Sequence, residues 1–469
     1  MTCHGPGSQR PDHADPQERW LLVAVAGVLS FVAMLDMNIV NVALADVSDG
    51  LHASAATVQW AVLGYQLPVV ALLLPVGSWL DGTAARSAVL VATAGFGLCS
   101  ALAAAAPWVA WLIAARLAQG VFGAVLFVLM PVLALRSVRP ERRGRAMSVP
   151  ATLGPLGAVT GPAVGGLLLD HLGWRSVFLV KLPFCLIALV VAWRALPADA
   201  GLRRPDRRSV RDALVGGTGV ALVLLALTMA SSSPRWLAIG PAAVPFLWWW
   251  LRGPAGRSVA GALRTAGLFQ AHAAVLALAA AFAAMHYVVA LHLQRDDGAG
   301  ATTTGLTVLA FPLAMGLASP VGGRLADRYG ARPLAIAGAA LTAVGLLLLV
   351  PPAGDWSPGG VAWRLALAGA GMGLNGGPTQ ALVMGAAPPD RTATVGSSVQ
   401  LARSLGFTLG PALAIAVWGM VGGDRGVTAG LALAALAAAL AVALLAVHRP
   451  RPPSVPEEPT PAASASHRP

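Results

Sequence analysis

The segments VGSWLDGTAAR, residues 76–86, and GGRLADRYGAR, residues 322–332, are two versions of one short loop. Each loop follows the second long apolar run of its half of the chain. This placement predicts an internally duplicated bundle of apolar segments. A glycine, an aspartate and an arginine recur at a spacing of 246 residues, as Gly77 and Gly323, Asp81 and Asp327, and Arg86 and Arg332.

The composition is that of a membrane protein. Hydrophobic residues make up 57% of the 469 residues and charged residues only 11%, whereas a soluble domain has about 25% charged residues. We count about fourteen unbroken apolar runs of the length that spans a bilayer as a helix. Barrel strands would alternate instead. The fold class is predicted to be an all-α polytopic membrane protein, with spans at 21–44, 57–76, 87–106, 108–133, 147–169, 174–195, 212–231, 234–251, 266–292, 303–321, 332–350, 361–386, 393–420 and 427–447.

The formal net charge of +12 is distributed unevenly between the loops. Most basic residues fall on one side of the predicted spans, above all in 136–145 and 203–211, and the positive-inside rule makes this side cytoplasmic. We therefore expect contacts with lipid headgroups and no nucleic-acid partner. Both termini are predicted to be cytoplasmic. The Ala- and Arg-rich, nearly Lys-free composition suggests a GC-rich bacterial genome, so we expect the spans to lie in a bacterial cytoplasmic membrane.

The apolar runs and loops divide the chain into five parts. Residues 1–17 and 449–469 are predicted to be disordered cytoplasmic termini. Residues 18–196 and 265–448 are predicted to form two six-helix bundles. Residues 197–264 are predicted to be a two-helix insert with cytoplasmic linkers. Two similar bundles with a binding site between them are typical of secondary transporters.

Three further motifs accompany the repeated loop. They are LDMNIVNVALADV at 35–47, RLAQG at 116–120 and GPLGAVTGPAVGG at 154–166. With the two loops, they make the chain resemble the major facilitator superfamily, specifically its fourteen-helix drug/proton antiporter branch. The resemblance implies alternating access and proton-coupled efflux of a hydrophobic or amphipathic small molecule, such as an antibiotic, by a monomer. It also implies that a proton gradient, rather than a cofactor, is the energy source.

Asp36 and Arg116 are charged residues deep inside apolar spans. An ionised carboxylate at this depth costs roughly 2.5–3.5 kcal/mol, so Asp36 must be neutral, paired or in contact with water. A balance between burial and a nearby cation would let it bind and release protons, and we expect it to be the proton-coupling residue. The resemblance links Arg116 to the same role. The alternatives are a permanently paired acid and an arginine bonded only to backbone carbonyls.

Lys181 is the only lysine in the chain and lies within an apolar run. At 1.5 Å per residue it lies about 10 Å from the outer end of its span, at a depth similar to that of Asp36. One hypothesis is that Lys181 is a counter-charge to Asp36, with a part in proton coupling. The alternative is an amine that extends to the outer headgroups.

The run at 154–166 is rich in glycine and proline. Glycines at helical spacing let a neighbouring helix approach closely, and each proline frees a carbonyl and bends the helix. We therefore predict a bendable, tightly packed seam. By resemblance the run marks antiporters, and its residues are Gly154, Pro155, Gly157, Gly161, Pro162, Gly165 and Gly166.

The resemblance implies that the second loop forms a cytoplasmic gate. Its glycines, including Gly330, allow a tight turn, and Asp327 with Arg328 and Arg332 is expected to clamp helix ends through charge-assisted bonds. In the first loop Gly82, Thr83 and Ala84 replace the expected Arg-x-Gly, leaving Asp81 and Arg86. The first-half latch is therefore expected to be weak.

Polar residues inside the spans are candidates for the substrate cavity, with packing or interhelical hydrogen bonds as the alternative. His286 could also titrate near neutrality. The candidates are Asn38, Asn41, Gln119, His286, Asn375 and Gln380.

Several other functions are disfavoured by the sequence. A P-loop needs a lysine after its glycines, but the only lysine is inside a span. No nucleophile and base motif indicates an enzyme. The three cysteines are too scattered for a metal cluster, so we expect no metal site. A proton-coupled importer of a small metabolite on the same fold remains the alternative function.

Overall fold

The computed structural model describes residues 19–81, 83, 85–199, 201–202, 207–230, 234–265, 268–295, 300–350, 356–421 and 423–447. The termini predicted to be disordered, and Gly82 and Ala84 of the first loop, lie outside this part. Within it the chain is helical and contains no strand. A bilayer offers the backbone no hydrogen-bond partners, so long apolar runs satisfy their N–H and C=O groups inside helices.

Seventeen α-helices occur in the described residues. They are α1 Trp20–Val42, α2 Leu44–Gly50, α3 Ala55–Leu80, α4 Ala85–Ala104, α5 Val109–Arg136, α6 Arg143–Leu172, α7 Ser176–Leu179, α8 Leu182–Ala195, α9 Arg207–Ala230, α10 Gly240–Arg252, α11 Pro254–Thr265, α12 Phe269–Arg295, α13 Ala301–Tyr329, α14 Ala331–Leu347, α15 Pro358–Gly385, α16 Thr392–Val421 and α17 Gly423–Val447.

These helices occupy every predicted span. Eleven described stretches are long and apolar enough to cross a membrane by length and composition. The helix α10 is short, but the 3₁₀ segment Pro234–Ile239 precedes it, and together they extend roughly 30 Å. The sixth span is divided into α7 and α8. The helices α2 and α11 were not among the predicted spans.

The two halves share one frame. Helices α5 and α15 begin 249 residues apart, at 109 and 358, and end 249 apart, at 136 and 385. Helices α6 and α16 keep the same spacing, at 143 and 392 and at 172 and 421. A large core cluster lies mainly among α1, α3, α4, α5 and α8, and another lies among α12–α17. The boundaries near residues 196 and 265 stay predictions.

The halves meet mainly through α6 against α13 and α15, and through α3 against α16. The inserted helix α9 packs along α3, and α10 packs on α9. We call the end of the bundle at which α3 passes to α4 and α13 passes to α14 the gate face. The opposite end, where α1 passes to α3, is the far face.

Candidate functional site

Asp36, Arg116 and Lys181 meet in the interior of the first half, and we call them the charge cluster. Asp36 is six residues before the end of α1, and Arg116 is seven residues after the start of α5. At 1.5 Å per residue both lie roughly 10 Å inside the far-face ends of their helices. The exposed fractions of the three side chains are 0%, 1% and 0%. The cluster is therefore closed to solvent.

Arg116 joins three helices. Its Nη1 donates to both carboxylate oxygens of Asp36, at 2.9 and 2.7 Å, and to Gln119 Oε1 at 2.8 Å. Its Nε donates to the carbonyl of Ala61 on α3 at 2.9 Å. The guanidinium carbon lies 4.4 Å from the ring centroid of Tyr65, close enough for a cation–π interaction. Arg116 thus bonds to a backbone carbonyl and to the carboxylate at once.

Lys181 lies at the break between α7 and α8. Pro183 occupies the first turn of α8, where a missing N–H costs nothing, but its ring prevents a regular helix from continuing through this point. The Lys181 ammonium forms an ion pair with Asp36 Oδ1 and lies 5.1 Å from the ring centroid of Phe178. Lys181 therefore pairs with Asp36 and does not extend to the bilayer surface.

Two buried polar atoms beside the charge cluster have no hydrogen-bond partner in the described part of the chain. They are the hydroxyl of Tyr65 and Nε2 of Gln119. Both residues contact Arg116, through the ring of Tyr65 and through Oε1 of Gln119. Tyr65 was not among the predicted site residues, because its contact with Arg116 depends on how α3 packs on α5.

The predicted seam lies between α6 and α1. A Cβ at Gly157 would collide with the carbonyl of Phe31, and one at Gly161 would crowd the backbone of Leu35 and Ile39. The two helices can therefore approach this closely only with glycine there. In the same motif Gly154 faces Ser30 and Gly165 faces Ile39, but a Cβ at Gly166 would meet nothing within 4 Å. Pro155 and Pro162 lie within α6.

The loop aspartates bind helix starts in the opposite half. Asp327 Oδ1 accepts hydrogen bonds from the backbone N–H groups of Gly144 and Arg145, at 2.8 and 3.3 Å. Asp81 accepts from the N–H groups of Ala393 and Thr394, at 2.6 and 3.1 Å. These N–H groups lie in the first turns of α6 and α16, where they lack partners within the helix and favour a negative charge.

The gate glycines let the same helices approach each other closely. Gly77 faces α16 at Ala393 and Ser397, and Gly323 faces α6 at Ser148, in each case without room for a Cβ. Gly330 has φ +93°, a conformation that favours glycine, and turns the chain from α13 into α14. The gate face is therefore closed.

Arg332 bonds a helix end as expected, because it donates to the carbonyls of Leu445 and Ala446 at the end of α17. The Arg328 guanidinium instead lies over the Tyr329 ring. The expectation for the first latch needs correction. The first latch is not weak in its contacts, because the Thr394 hydroxyl also donates to Asp81. Burial raises the pKa of the Asp81 carboxyl, against the opposing effect of these hydrogen bonds. Arg86 lies in the first turn of α4.

The candidate cavity residues are dispersed. Asn38 and Asn41 donate to carbonyls of their own helix, at Met34 and Met37. Asn41 also lines a cavity of about 870 Å³ at the far face, together with Asp49, Gln59 and Gln66.

Asn375 donates to the carbonyl of Ala335 on α14 at 2.7 Å, which fits the alternative of an interhelical hydrogen bond. His286 packs against Phe282 and Phe311, at centroid distances of 4.3 and 5.5 Å. Gln380 accepts a hydrogen bond from Arg403 at 3.3 Å. Arg403 was not among the predicted site residues, although an arginine eleven residues into α16 is a readable signal.

Together, the duplicated helical bundle, the buried charge cluster and the reciprocal gate contacts define a polytopic transporter. A family model of the Major Facilitator Superfamily matches residues 26–251 and 272–469. The chain belongs to this family.

Its relatives are resistance proteins and transporters. The multidrug resistance protein Stp of Mycobacterium tuberculosis is 28% identical, with 85% of this chain and 76% of that protein covered. The methylenomycin A resistance protein of Bacillus subtilis is 30% identical, with 84% and 86% covered. In structure, the chain is similar to the human organic anion transporter MFSD10, with a TM-score of 0.66 and 17% identity over 92% of this chain and all of that one. At that identity the similarity indicates the fold alone.

Proposed function

We propose that the protein is a proton-driven exporter of hydrophobic or amphipathic small molecules, including antibiotics, in the bacterial cytoplasmic membrane. The gate face is cytoplasmic, as are both termini. The observation that carries the proposal is the fully buried Asp36 carboxylate, held by Arg116 and Lys181. Relatives named for drug and antibiotic resistance support the cargo class.

The charges of the cluster explain how proton binding is coupled to movement. With Asp36 ionised, the cluster carries one net positive charge. Protonation of Asp36 would leave two buried cations without a counter-charge, which is strongly unfavourable in a protein interior. The proton therefore binds only as the cluster opens to water, or as Lys181 gives up a proton.

The seam transmits this change. Helix α1 contributes Asp36 to the cluster and packs on α6 through Gly157 and Gly161. Helix α6 in turn reaches the second half, where Asp327 binds its first turn. A change of charge at Asp36 thus acts on the helix that holds one of the two gate contacts. Cargo leaves as protons enter.

The test uses everted membrane vesicles from an efflux-deficient host, with a compound found by a susceptibility panel. Acidifying the vesicle interior should drive uptake of the labelled compound by the wild-type protein and not by Asp36→Asn. Asp170→Asn, at an exposed far-face position outside the cluster and outside the far-face cavity, is the matched control and should transport normally. Equal uptake without a pH difference, or by Asp36→Asn, would contradict the proposal.

A further inference from the structure

The second half contains a charged side chain that the proposed proton coupling does not use. Arg403 lies eleven residues after the start of α16, roughly 16 Å from that end of the helix. It is partly exposed, and its one hydrogen bond to another side chain in the described part of the chain goes to the neutral amide oxygen of Gln380. No described carboxylate forms an ion pair with it.

The charges inside the spans do not balance. Four charged residues lie more than six residues from either end of the predicted spans, and they are Asp36, Arg116, Lys181 and Arg403. Asp36 is bound by Arg116 and Lys181, so among the described residues Arg403 has no carboxylate as a counter-charge. An intramembrane ionisable residue without a partner marks a substrate or ion pathway.

Arg403 lies where the second half faces the first. Gln380, its partner, is one helical turn from Gly376, which faces Ala151 of α6. Two turns before Arg403, Gly396 faces Pro131 of α5. The guanidinium is therefore placed between α15 and α16 on the side of the bundle that meets the first half.

An aromatic wall lies beside this cation. Phe407 is four residues after Arg403 and so lies on the same face of α16. Its ring lies 5.7 Å from that of Phe282 on α12, which lies 4.9 Å from Phe311 on α13. His286 contacts the latter two rings, and its Nδ1 is buried without a hydrogen-bond partner in the described residues.

We propose that Arg403 and the rings of Phe282 and Phe407 form a subsite for the acidic group of a planar aromatic cargo, so that the transported compounds are organic acids. The planar guanidinium binds a carboxylate through two parallel hydrogen bonds, and Gln380 keeps it oriented. The aromatic part of the cargo stacks on the rings. This inference rests on the proposed export function for its physiological meaning, but binding does not require a proton gradient.

The test measures equilibrium binding to the purified full-length protein in lipid nanodiscs at neutral pH. The probes are 9-anthroate and 1-naphthoate, each compared with its carboxamide, which keeps the shape and removes the charge. A charge-assisted hydrogen bond gives about tenfold or more in affinity. We expect both carboxylates to bind at least about tenfold more tightly than their amides.

The variants separate the charge from the rings. Arg403→Gln should abolish the preference for the acid, and Arg403→Lys should keep part of it. Phe407→Leu should weaken acid and amide binding equally. Arg252→Gln, which removes a cation placed over the Trp248 ring of α10, is the control and should bind like the wild type. Thermal unfolding checks that each variant is folded.

Three results would overturn the inference. They are equal binding of acids and amides by the wild type, no binding of either acid, and an acid preference that survives in Arg403→Gln. Failure of the proposed function would give a different result. Uptake by vesicles with Asp36→Asn would contradict proton coupling, while the preference for acids in the binding assay would stay unchanged.

Discussion

The two halves have the same helical frame but differ in the charges they carry. Gly157 and Gly161 of α6 press on the backbone of α1 at Phe31, Leu35 and Ile39. In the second half, Gly406 and Gly410 of α16 press on α12 at Leu276, Ala280 and Ala284. This correspondence aligns Asp36 with Ala281. At the spacing of 249 residues, Leu365 corresponds to Arg116, Gly430 to Lys181 and Arg403 to Gly154.

The difference indicates a division of labour between the halves. The charge cluster exists only in the first half, where the second half has an alanine, a leucine and a glycine at the equivalent positions. Ala281 and Leu365 are fully buried in that apolar packing. Conversely, the second half has the cation Arg403 at the position where the first half has Gly154 of the seam. Under the two proposals above, proton coupling and cargo recognition thus lie on opposite halves of one repeated fold.

The largest expected effect comes from making the first half resemble the second at Lys181. Lys181→Ala removes one of the two cations that hold the buried Asp36 carboxylate, and breaking a buried ion pair costs about 3–5 kcal/mol. We expect loss of pH-driven transport and a low yield of folded protein. Adding Asp36→Asn leaves Arg116 buried without its carboxylate partner, so the double variant should yield still less folded protein, measured by size-exclusion chromatography. A yield restored to the wild-type value would show that Arg116 does not depend on Asp36.

The seam gives the next largest effect. Gly157→Leu and Gly406→Leu each push a side chain into the backbone of the neighbouring helix, so both should lower the thermal unfolding midpoint and abolish transport. Gly166→Leu is the control, because nothing lies within 4 Å of a Cβ there. Normal transport by Gly157→Leu would mean that α1 and α6 separate at this point.

The gate provides a test of pH dependence. Burial raises the pKa of the Asp81 carboxyl in the closed gate above its ordinary value of 3.8. Proton binding to Asp81 therefore favours the closed gate. The stability of the closed gate falls as the pH rises from 3.8 through the raised pKa. The effect is expected to be a severalfold change in the closed population. Spin-label distances between α3 and α16 would measure it, and Asp81→Asn should reduce the pH dependence in this window, with the remainder due to Asp327 of the other gate contact. The same dependence in Asp81→Asn would assign it to another group.

The smallest effect is expected at Tyr65, which corresponds to Phe311 at the 246-residue spacing of the loops. Its hydroxyl has no partner in the described chain, while its ring lies over Arg116. Tyr65→Phe should therefore transport within about twofold of the wild type, because the cation–π contact of about 1–2 kcal/mol persists. Tyr65→Leu should lose several-fold. A strong defect in Tyr65→Phe would give the hydroxyl a part in proton movement.

The arrangement of helices could be predicted from the sequence, because the lengths of the apolar runs and the repeated loops are local properties of the chain. Helices lie at all fourteen predicted spans, and the family follows from the same patterns. Pro183 was a local signal for the break at Lys181, which was not among the predictions. The short helix α2 and the amphipathic helix α11 were not predicted, because neither contains a long apolar run.

The contacts of the site were only partly readable. Depth along a helix placed Asp36 and Lys181 at one level, yet depth does not say which way a side chain points around its helix. The gate shows the same limit, since Asp81 binds backbone N–H groups 312 and 313 residues away, in the opposite half. Such partners are set by how the halves dock, which no local pattern encodes.

Burial of the only lysine protects the folded chain from reagents that modify side-chain amines. Its ammonium is fully enclosed and bound to a carboxylate, so acylating reagents and lysine-directed crosslinkers have no accessible side-chain amine, and tryptic cleavage must occur after arginine. The rate at which an amine reagent modifies Lys181 would therefore report how often water enters the first half.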